Sequence, residues 1–231
     1  MLNILLIAVF GGLLAACAPR VAEIPSIEGQ RPASFPEQEY QRAAAQGRQV
    51  FRVDPGLSLV VIEVRRAGSL ARLGHDHVVA SHDVHGYVLP DAGRADLYVP
   101  LDRLVVDEPE LRAEARFDTQ PSADAIAGTR RNMLEKVLEV ERFAVAQIAV
   151  VPVDTNGSEA VVNASITVHG VTRAMQVPVK IERSVDEIAI SGRLTLVQTD
   201  FAMRPFSILG GAVQVQDALD VRFRIRAHSF E

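Results

Sequence analysis

The sequence predicts an all-β domain, an extended antiparallel barrel of about eight strands with one helix inserted near residues 122–140. After Phe51, apolar and polar residues alternate with a period of two, which is typical of strands that bury one face. Turn-forming residues such as Asn156 and Gly157 separate these runs. Strands joined by short turns pair antiparallel, and about eight of them can close into a barrel without exposed edges.

The last predicted strand shows the clearest alternation, with a charged face opposite an apolar face formed by Leu219, Val221, Phe223, Ile225 and Ala227. The same pattern occurs in residues 111–117, 162–168, 177–181 and 188–196. Because the charged faces must point to water, the apolar faces point inward. We therefore predict that the following apolar residues line the lumen: Val60, Ile62, Leu111, Phe117, Val177, Val179, Phe201, Val221 and Phe223.

One segment has helical rather than strand spacing. Ser122 can cap the start of a helix, and Asp124 falls in its first turn. An apolar stripe follows, formed by Met133, Leu134, Val137 and Leu138. We expect this stripe to plug or cover one end of the barrel.

The N-terminus is typical of a bacterial export signal. Its apolar run is about a dozen residues long, whereas a membrane-spanning helix needs about 20. The run ends in Leu14-Ala15-Ala16-Cys17, which resembles the lipobox of bacterial lipoproteins. This pattern predicts a signal peptide at residues 1–16 and lipidation of Cys17, and the following Ala18 favours the outer membrane. The alternative is an ordinary secretory signal in which Cys17 has no special role.

Residues 17–49 are predicted to be the lipidated cysteine and a flexible tether. Prolines recur among polar residues and alanines without a sustained apolar period, so little surface can be buried to offset the entropy of ordering. A short helix near residues 37–46 is compatible with the pattern. The barrel domain is then residues 50–231, held at the periplasmic face of a membrane.

Composition and motifs exclude several classes of protein. The single cysteine of the 231-residue chain rules out internal disulfides, CxxC redox chemistry and cysteine zinc sites. The net charge of −5 argues against a nucleic-acid partner. Common hydrolase, zinc-protease and nucleotide-binding motifs are absent from the sequence, which predicts a protein that is not an enzyme and needs no cofactor.

Histidines are concentrated between residues 75 and 85. On an extended strand His75 and His77 would project to the same face, where two imidazoles could ligate zinc, copper or nickel. The other interpretation is that these histidines are hydrogen-bonded lining or surface residues, oriented by Asp76 and Asp83. The sequence leaves both open.

Three stretches resemble the YceI-like family, the lipocalin-like periplasmic proteins that bind polyisoprenoid lipids. Residues 51–54 resemble the opening strand motif of the family. Residues 164–173, followed by 177–179, are similar to its strand-turn-strand around a glycine-containing turn. Residues 199–203, followed by a long strand over 213–227, are similar to its closing segment. Together the resemblance covers residues from about 50 to 228.

The resemblance implies a lipocalin-like barrel that holds an isoprenoid chain, polyprenyl or quinone-like, and catalyses no reaction. An apolar tube suits such a chain, because burial contributes about 25 cal/mol per Å² of apolar surface. Two other functions remain open from the residues: a metal-binding or redox-accessory module built on His75 and His77, and a structural envelope protein with a side-chain-filled barrel. The sequence also leaves a homodimer open.

Overall fold

The computed structural model describes residues 31–151 and 158–230 of the chain. The predicted signal peptide, Cys17, and the Asn156-Gly157 turn lie outside the described residues. The helices are α1 (Glu37–Ala45), α2 (Pro109–Ala115) and α3 (Ala123–Asn132). The strands are β1 (Val50–Val53), β2 (Leu59–Val64), β3 (Arg66–Ala67), β4 (His77–Ser81), β5 (His85–Leu89), β6 (Arg94–Pro100), β7 (Val105–Val106), β8 (Val145–Val150), β9 (Glu159–Val168), β10 (Val171–Arg183), β11 (Glu187–Val197), β12 (Ser207–Ile208), β13 (Val213–Val215) and β14 (Ala218–Phe230).

The strands form a closed antiparallel barrel with eight positions, which confirms the predicted fold. β14 pairs with β11 on one side, and on the other side with β2 along its first half and β1 along its second. β1 and β2 are therefore one strand interrupted by the turn at Pro55–Leu57. The next position in the barrel wall is again an interrupted strand: β4 pairs with β2, and β5 pairs with β1. The position after it consists of β6, which pairs with β5, and β7, which pairs with β4. β8, β9 and β10 complete the ring back to β11.

The pairing of β10 with β11 is limited to Val179–Arg183 and Ile188–Gly192. Beyond it, the short turn Gln198–Phe201 packs against β10, and Phe201 is buried there. A separate small sheet of β12, β13 and β3 lies where β2 ends. At that end, the turn Gln198–Phe201 and the small sheet therefore take the place of regular barrel strands.

The inserted helix begins where the sequence predicted. Ala123 is its first residue, and the Ser122 hydroxyl accepts a hydrogen bond from the Ala125 amide at 3.2 Å. The helix continues into a π-helical turn, Met133–Val137. Its apolar stripe packs against the main core: Leu134 is buried, and Met133, Val137 and Leu138 are partly buried against it.

Residues 109–115 are helical, so the strand predicted over 111–117 was wrong. Pro109 at the first helical position and Glu110 in the first turn both favour a helix. Leu111 and Ala115 are four residues apart and share one helical face. That face packs on the outside of the barrel wall against Val61, Val78 and Ala80, together with Phe117. Leu111 and Phe117 therefore cover the outer wall and do not line the lumen.

The first helix corrects the expected domain boundary at residue 50. Within the segment predicted to be a tether, α1 packs on the outer face of β1 and β5. Tyr40 is 1% exposed, and its hydroxyl donates a hydrogen bond of 2.6 Å to Asp96. Burial raises the pKa of Tyr40, so the phenol stays protonated and can donate. Residues 37–49 thus belong to the folded domain.

Candidate functional site

The barrel encloses an apolar cavity of about 510 Å³. Inward-facing residues of the strands form its wall, and α3 contributes further lining residues. The outward faces of β9, β10 and β14 are largely exposed, as the period-two pattern requires. A cavity of this volume is within the range of small-molecule binding sites, about 300–1,000 Å³.

Seven of the nine residues predicted for the lumen line this cavity: Val60, Ile62, Val177, Val179, Phe201, Val221 and Phe223. Leu111 and Phe117 do not, because α2 places them on the outer wall. Contact of the seven residues with a ligand remains a prediction.

The lining contributed by β6 and β8 was not among the residues predicted for the lumen. Leu97, Val99 and Ile148 line the cavity, and the alternation of Leu97 and Val99 with Asp96 and Tyr98 was a usable signal. Thr129 lines the cavity from α3, and Met133 lines it from the π-helical turn that follows, as part of the stripe expected to cover one end of the barrel. The sequence of β4 shows no alternation of apolar and polar residues, because α2 covers the outer face of this strand and every residue of the strand is buried.

Polar lining residues are concentrated at one end of the cavity. This polar end consists of Arg66, His75, His77, Thr129, Asn132, Gln198 and Gln214. They come together because β2 ends, β4 begins and β11 ends at this point, where α3 and the small sheet also lie. Elsewhere the polar lining residues are Ser81 and Arg94. Arg94 is paired with Glu39 at 2.6 Å and Asp96 at 2.7 Å.

A buried hydrogen-bond network orients His77 at the polar end. Its Nδ1 lies 2.6 Å from Oδ2 of Asp107, and Oδ1 of the same carboxylate accepts hydrogen bonds from the Val78 amide at 3.0 Å and from Arg112 at 2.5 Å. Burial would raise the pKa of Asp107, but the hydrogen bonds from His77, Val78 and Arg112 outweigh it and hold that pKa below its ordinary value. Asp107 is therefore ionised and acts only as an acceptor.

The other histidines of the 75–85 segment have separate partners. His82 lies 2.8 Å from a carboxylate oxygen of Glu108, and His85 lies 2.6 Å from Asp83 and stacks on Tyr98. The rings of His75 and His77 are 6.1 Å apart. Within residues 31–151 and 158–230, no three histidine, cysteine, aspartate or glutamate side chains are grouped as metal ligands. The pair singled out from the sequence thus has no third protein ligand in this part of the chain.

None of the helices described by the structure combines the length and apolar character required to cross a bilayer.

Solved structures that share this architecture include the following two. A polyisoprenoid-binding domain from Saccharophagus degradans, implicated in plant cell wall breakdown, has a TM-score of 0.56 at 15% identity, over 78% of this chain and 98% of that one. BcnA from Burkholderia cenocepacia has a TM-score of 0.52 at 13% identity, over 75% and 98%. At such identities the likeness establishes the fold. No curated protein sequence is detectably similar to the chain.

The family is established by sequence. The profile of the YceI-like domain matches residues 62–227, which is well over half of the chain and runs from β2 to near the end of β14. The match covers nearly all of the strands that enclose the cavity, together with α2 and α3. Both the closed barrel and this match lead to the same conclusion: the chain belongs to the YceI-like family.

Proposed function

We propose that this protein binds an isoprenoid-type lipid, polyprenyl or quinone-like, inside the barrel and catalyses no reaction on it. The observation that carries the proposal is the enclosed apolar cavity of about 510 Å³. The name of the Saccharophagus degradans domain, a polyisoprenoid-binding domain with the same fold, supports this choice of ligand. A flexible branched hydrocarbon has no polar group that the apolar wall would leave unsatisfied.

The cavity favours a lipid-binding protein over the alternative of a structural protein whose barrel is filled by its own side chains. A barrel filled by its own side chains would leave no such space, whereas the cavity of about 510 Å³ leaves room for a hydrocarbon chain. Burial of that chain would contribute about 0.8 kcal/mol for each methylene.

The proposal is tested by identifying the lipid that copurifies with the protein. The full chain is purified from bacterial membranes, its folding is verified, and an organic extract is analysed by mass spectrometry. We expect an isoprenoid lipid at close to one molecule per barrel. Well-folded protein that yields no lipid would contradict the proposal and would favour the structural alternative.

We further propose that Cys17 carries the lipid anchor and that the barrel works in the periplasm at the outer membrane. The lipobox-like sequence before Cys17 supports this part of the proposal. Acyl chains anchor a protein firmly when more than one is attached. We expect Cys17→Ser to move the protein from the membrane fraction to the soluble fraction after cell fractionation. Persistence of the variant in the membrane fraction would rule out the lipid anchor.

A further inference from the structure

The polar end of the cavity contains a pair of side chains suited to one type of lipid headgroup. Oγ1 of Thr129, on α3, lies 3.4 Å from Nε2 of His77, the first residue of β4, and both residues line the cavity. We propose that this pair binds the hydroxyl group of a prenol- or phenol-type lipid and selects it over a phosphorylated or carbonyl-bearing one. The inference rests on the proposed function and specifies its ligand class.

Asp107 fixes the position of a proton on His77. Because the Asp107 carboxylate can only accept, the 2.6 Å contact requires the hydrogen of His77 to be on Nδ1. In the neutral imidazole, Nε2 then presents a lone pair toward Thr129 and the cavity. The Asp107 carboxylate is in turn fixed by Arg112 and the Val78 amide, so the ring is held in one orientation.

His77 and Thr129 have the hydrogen-bonding groups that complement a hydroxyl. In the neutral imidazole Nε2 of His77 is an acceptor, while the Thr129 hydroxyl can donate. A ligand hydroxyl can donate to Nε2 and accept from Thr129 at the same time. A carbonyl oxygen can only accept, so it would leave Nε2 without a donor from the ligand. The separation of 3.4 Å is long for a direct hydrogen bond between the two side chains, and a ligand hydroxyl would satisfy both groups.

Arg66 and Arg112, the arginines at and behind the polar end, are each paired with a carboxylate. The arginine at the polar end, Arg66, makes hydrogen bonds of 2.9 and 2.8 Å to both carboxylate oxygens of Asp118, and a longer contact of 3.8 Å to Asp76. Arg112, behind His77, is matched to Asp107. A phosphate group bound here would lose its hydration, which costs free energy. These arginines already pair with carboxylates, so they would not compensate for that loss. An uncharged headgroup avoids that cost.

The experiment compares four probes that share one hydrocarbon chain: geranylgeraniol, geranylgeranial, geranylgeranyl phosphate, and a hydrocarbon of the same length. Each is titrated calorimetrically into the delipidated full chain and into Thr129→Val, which removes the hydroxyl but keeps the shape of the side chain. Thr129→Ser restores the hydroxyl. Thr167→Val is the matched control, since Thr167 bonds to Thr172 on the exposed outer face of the barrel.

We expect wild-type protein to bind geranylgeraniol more tightly than the other three probes. Thr129→Val should weaken geranylgeraniol binding about 2- to 10-fold, the effect of one neutral hydrogen bond, and leave the hydrocarbon unaffected. Thr129→Ser should restore the affinity, and Thr167→Val should match wild type.

The outcomes separate this inference from the proposed function. Equal binding of all four probes, or tighter binding of the phosphate or the aldehyde, would overturn the headgroup assignment while leaving lipid binding intact. Failure of every probe to bind would instead contradict the proposed function, and the headgroup assignment with it. If Thr129→Val does not fold, the ranking of the probes on wild-type protein still decides the question.

Discussion

Asp107 is the residue on which the polar end of the cavity depends most. Its side chain is fully buried, and it receives hydrogen bonds from His77, Val78 and Arg112. A buried ion pair adds little net stability relative to an apolar replacement, but removing one partner leaves the other charge buried and uncompensated. Arg112, with 5% of its side chain exposed, would be left in that state.

We therefore predict that Asp107→Asn lowers the free energy of unfolding by about 3–5 kcal/mol. Because folding lowers the pKa of Asp107, the ionised group stabilises the protein at neutral pH, and that contribution is lost as pH falls through the folded-state pKa. Urea unfolding at a series of pH values from about 7 to about 3 measures both effects. The acid-dependent loss should be smaller in the variant.

The control is Asp118→Asn, whose carboxylate is 68% exposed and should change stability little. Equal stability of Asp107→Asn and wild type at neutral pH would contradict the role given to the buried carboxylate.

Gly86 is required where β5 approaches β6. Its φ is +147°, and a Cβ there would lie 2.2 Å from the carbonyl oxygen of Asp96. We predict that Gly86→Ala destabilises the fold by about 3 kcal/mol or more, because the obstacle is backbone and cannot rotate away. Gly128→Ala is the control: its new methyl group meets nothing within 4 Å, and alanine favours the helix by about 1 kcal/mol. Thermal unfolding that ranks the two variants in the opposite order would refute this reading of β5.

At the residue scale, the sequence predicted more about the lumen than about the polar end. Val177 and Val179 could be assigned to the lumen because the alternation of a half-exposed strand reports the inward face directly. The partnership of His77 with Asp107 could not be predicted, since the two are thirty positions apart and meet only when the strands pair. The sequence therefore left two interpretations of His77 open, a metal ligand and a lining residue. Its place in the cavity wall agrees with the second.

At the scale of elements, two helices cover part of the outer wall. α1 packs on β1 and β5, and α2 packs on β2 and β4. β4 and β5 are consequently buried on both faces over nearly their whole length, and their sequences lack the alternation of β14. α3 was predictable because its capping serine and apolar stripe agree with each other. α2 was not, because a seven-residue helix with Leu111 and Ala115 on one face also fits a period of two.

The attachment of α1 can be tested through Tyr40. We predict that Tyr40→Ala lowers the free energy of unfolding by about 3–5 kcal/mol, since it removes a buried ring stacked on Tyr87 and the hydrogen bond to Asp96. Gln41→Ala changes the neighbouring exposed residue of the same helix and should stay within about 0.5 kcal/mol of wild type. Chemical denaturation of both variants measures the difference. Indistinguishable variants would mean that α1 does not stabilise the barrel.

For the whole molecule, the closed barrel follows from the sequence and the hollow interior does not. A barrel of eight strand positions can close with either a filled or an open lumen. Only the sizes of the inward residues in three dimensions decide between them, and here small ones such as Ala95, Ala146 and Ala164 leave space beside the larger aliphatic groups. The choice among ligand, metal and structural functions was for that reason open from sequence alone.

The most direct test of the account is to fill the lumen and measure lipid binding. Ala164 lines the cavity on β9, whereas Ala174 on β10 is exposed on the outer face, so phenylalanine at each position makes a matched pair. Geranylgeraniol is titrated calorimetrically into wild type, Ala164→Phe and Ala174→Phe after all three are shown to be folded. The account predicts that wild type and Ala174→Phe bind one molecule with similar affinity, and that Ala164→Phe binds at least about tenfold more weakly. Unchanged binding by Ala164→Phe would contradict the claim that the hydrocarbon occupies the barrel.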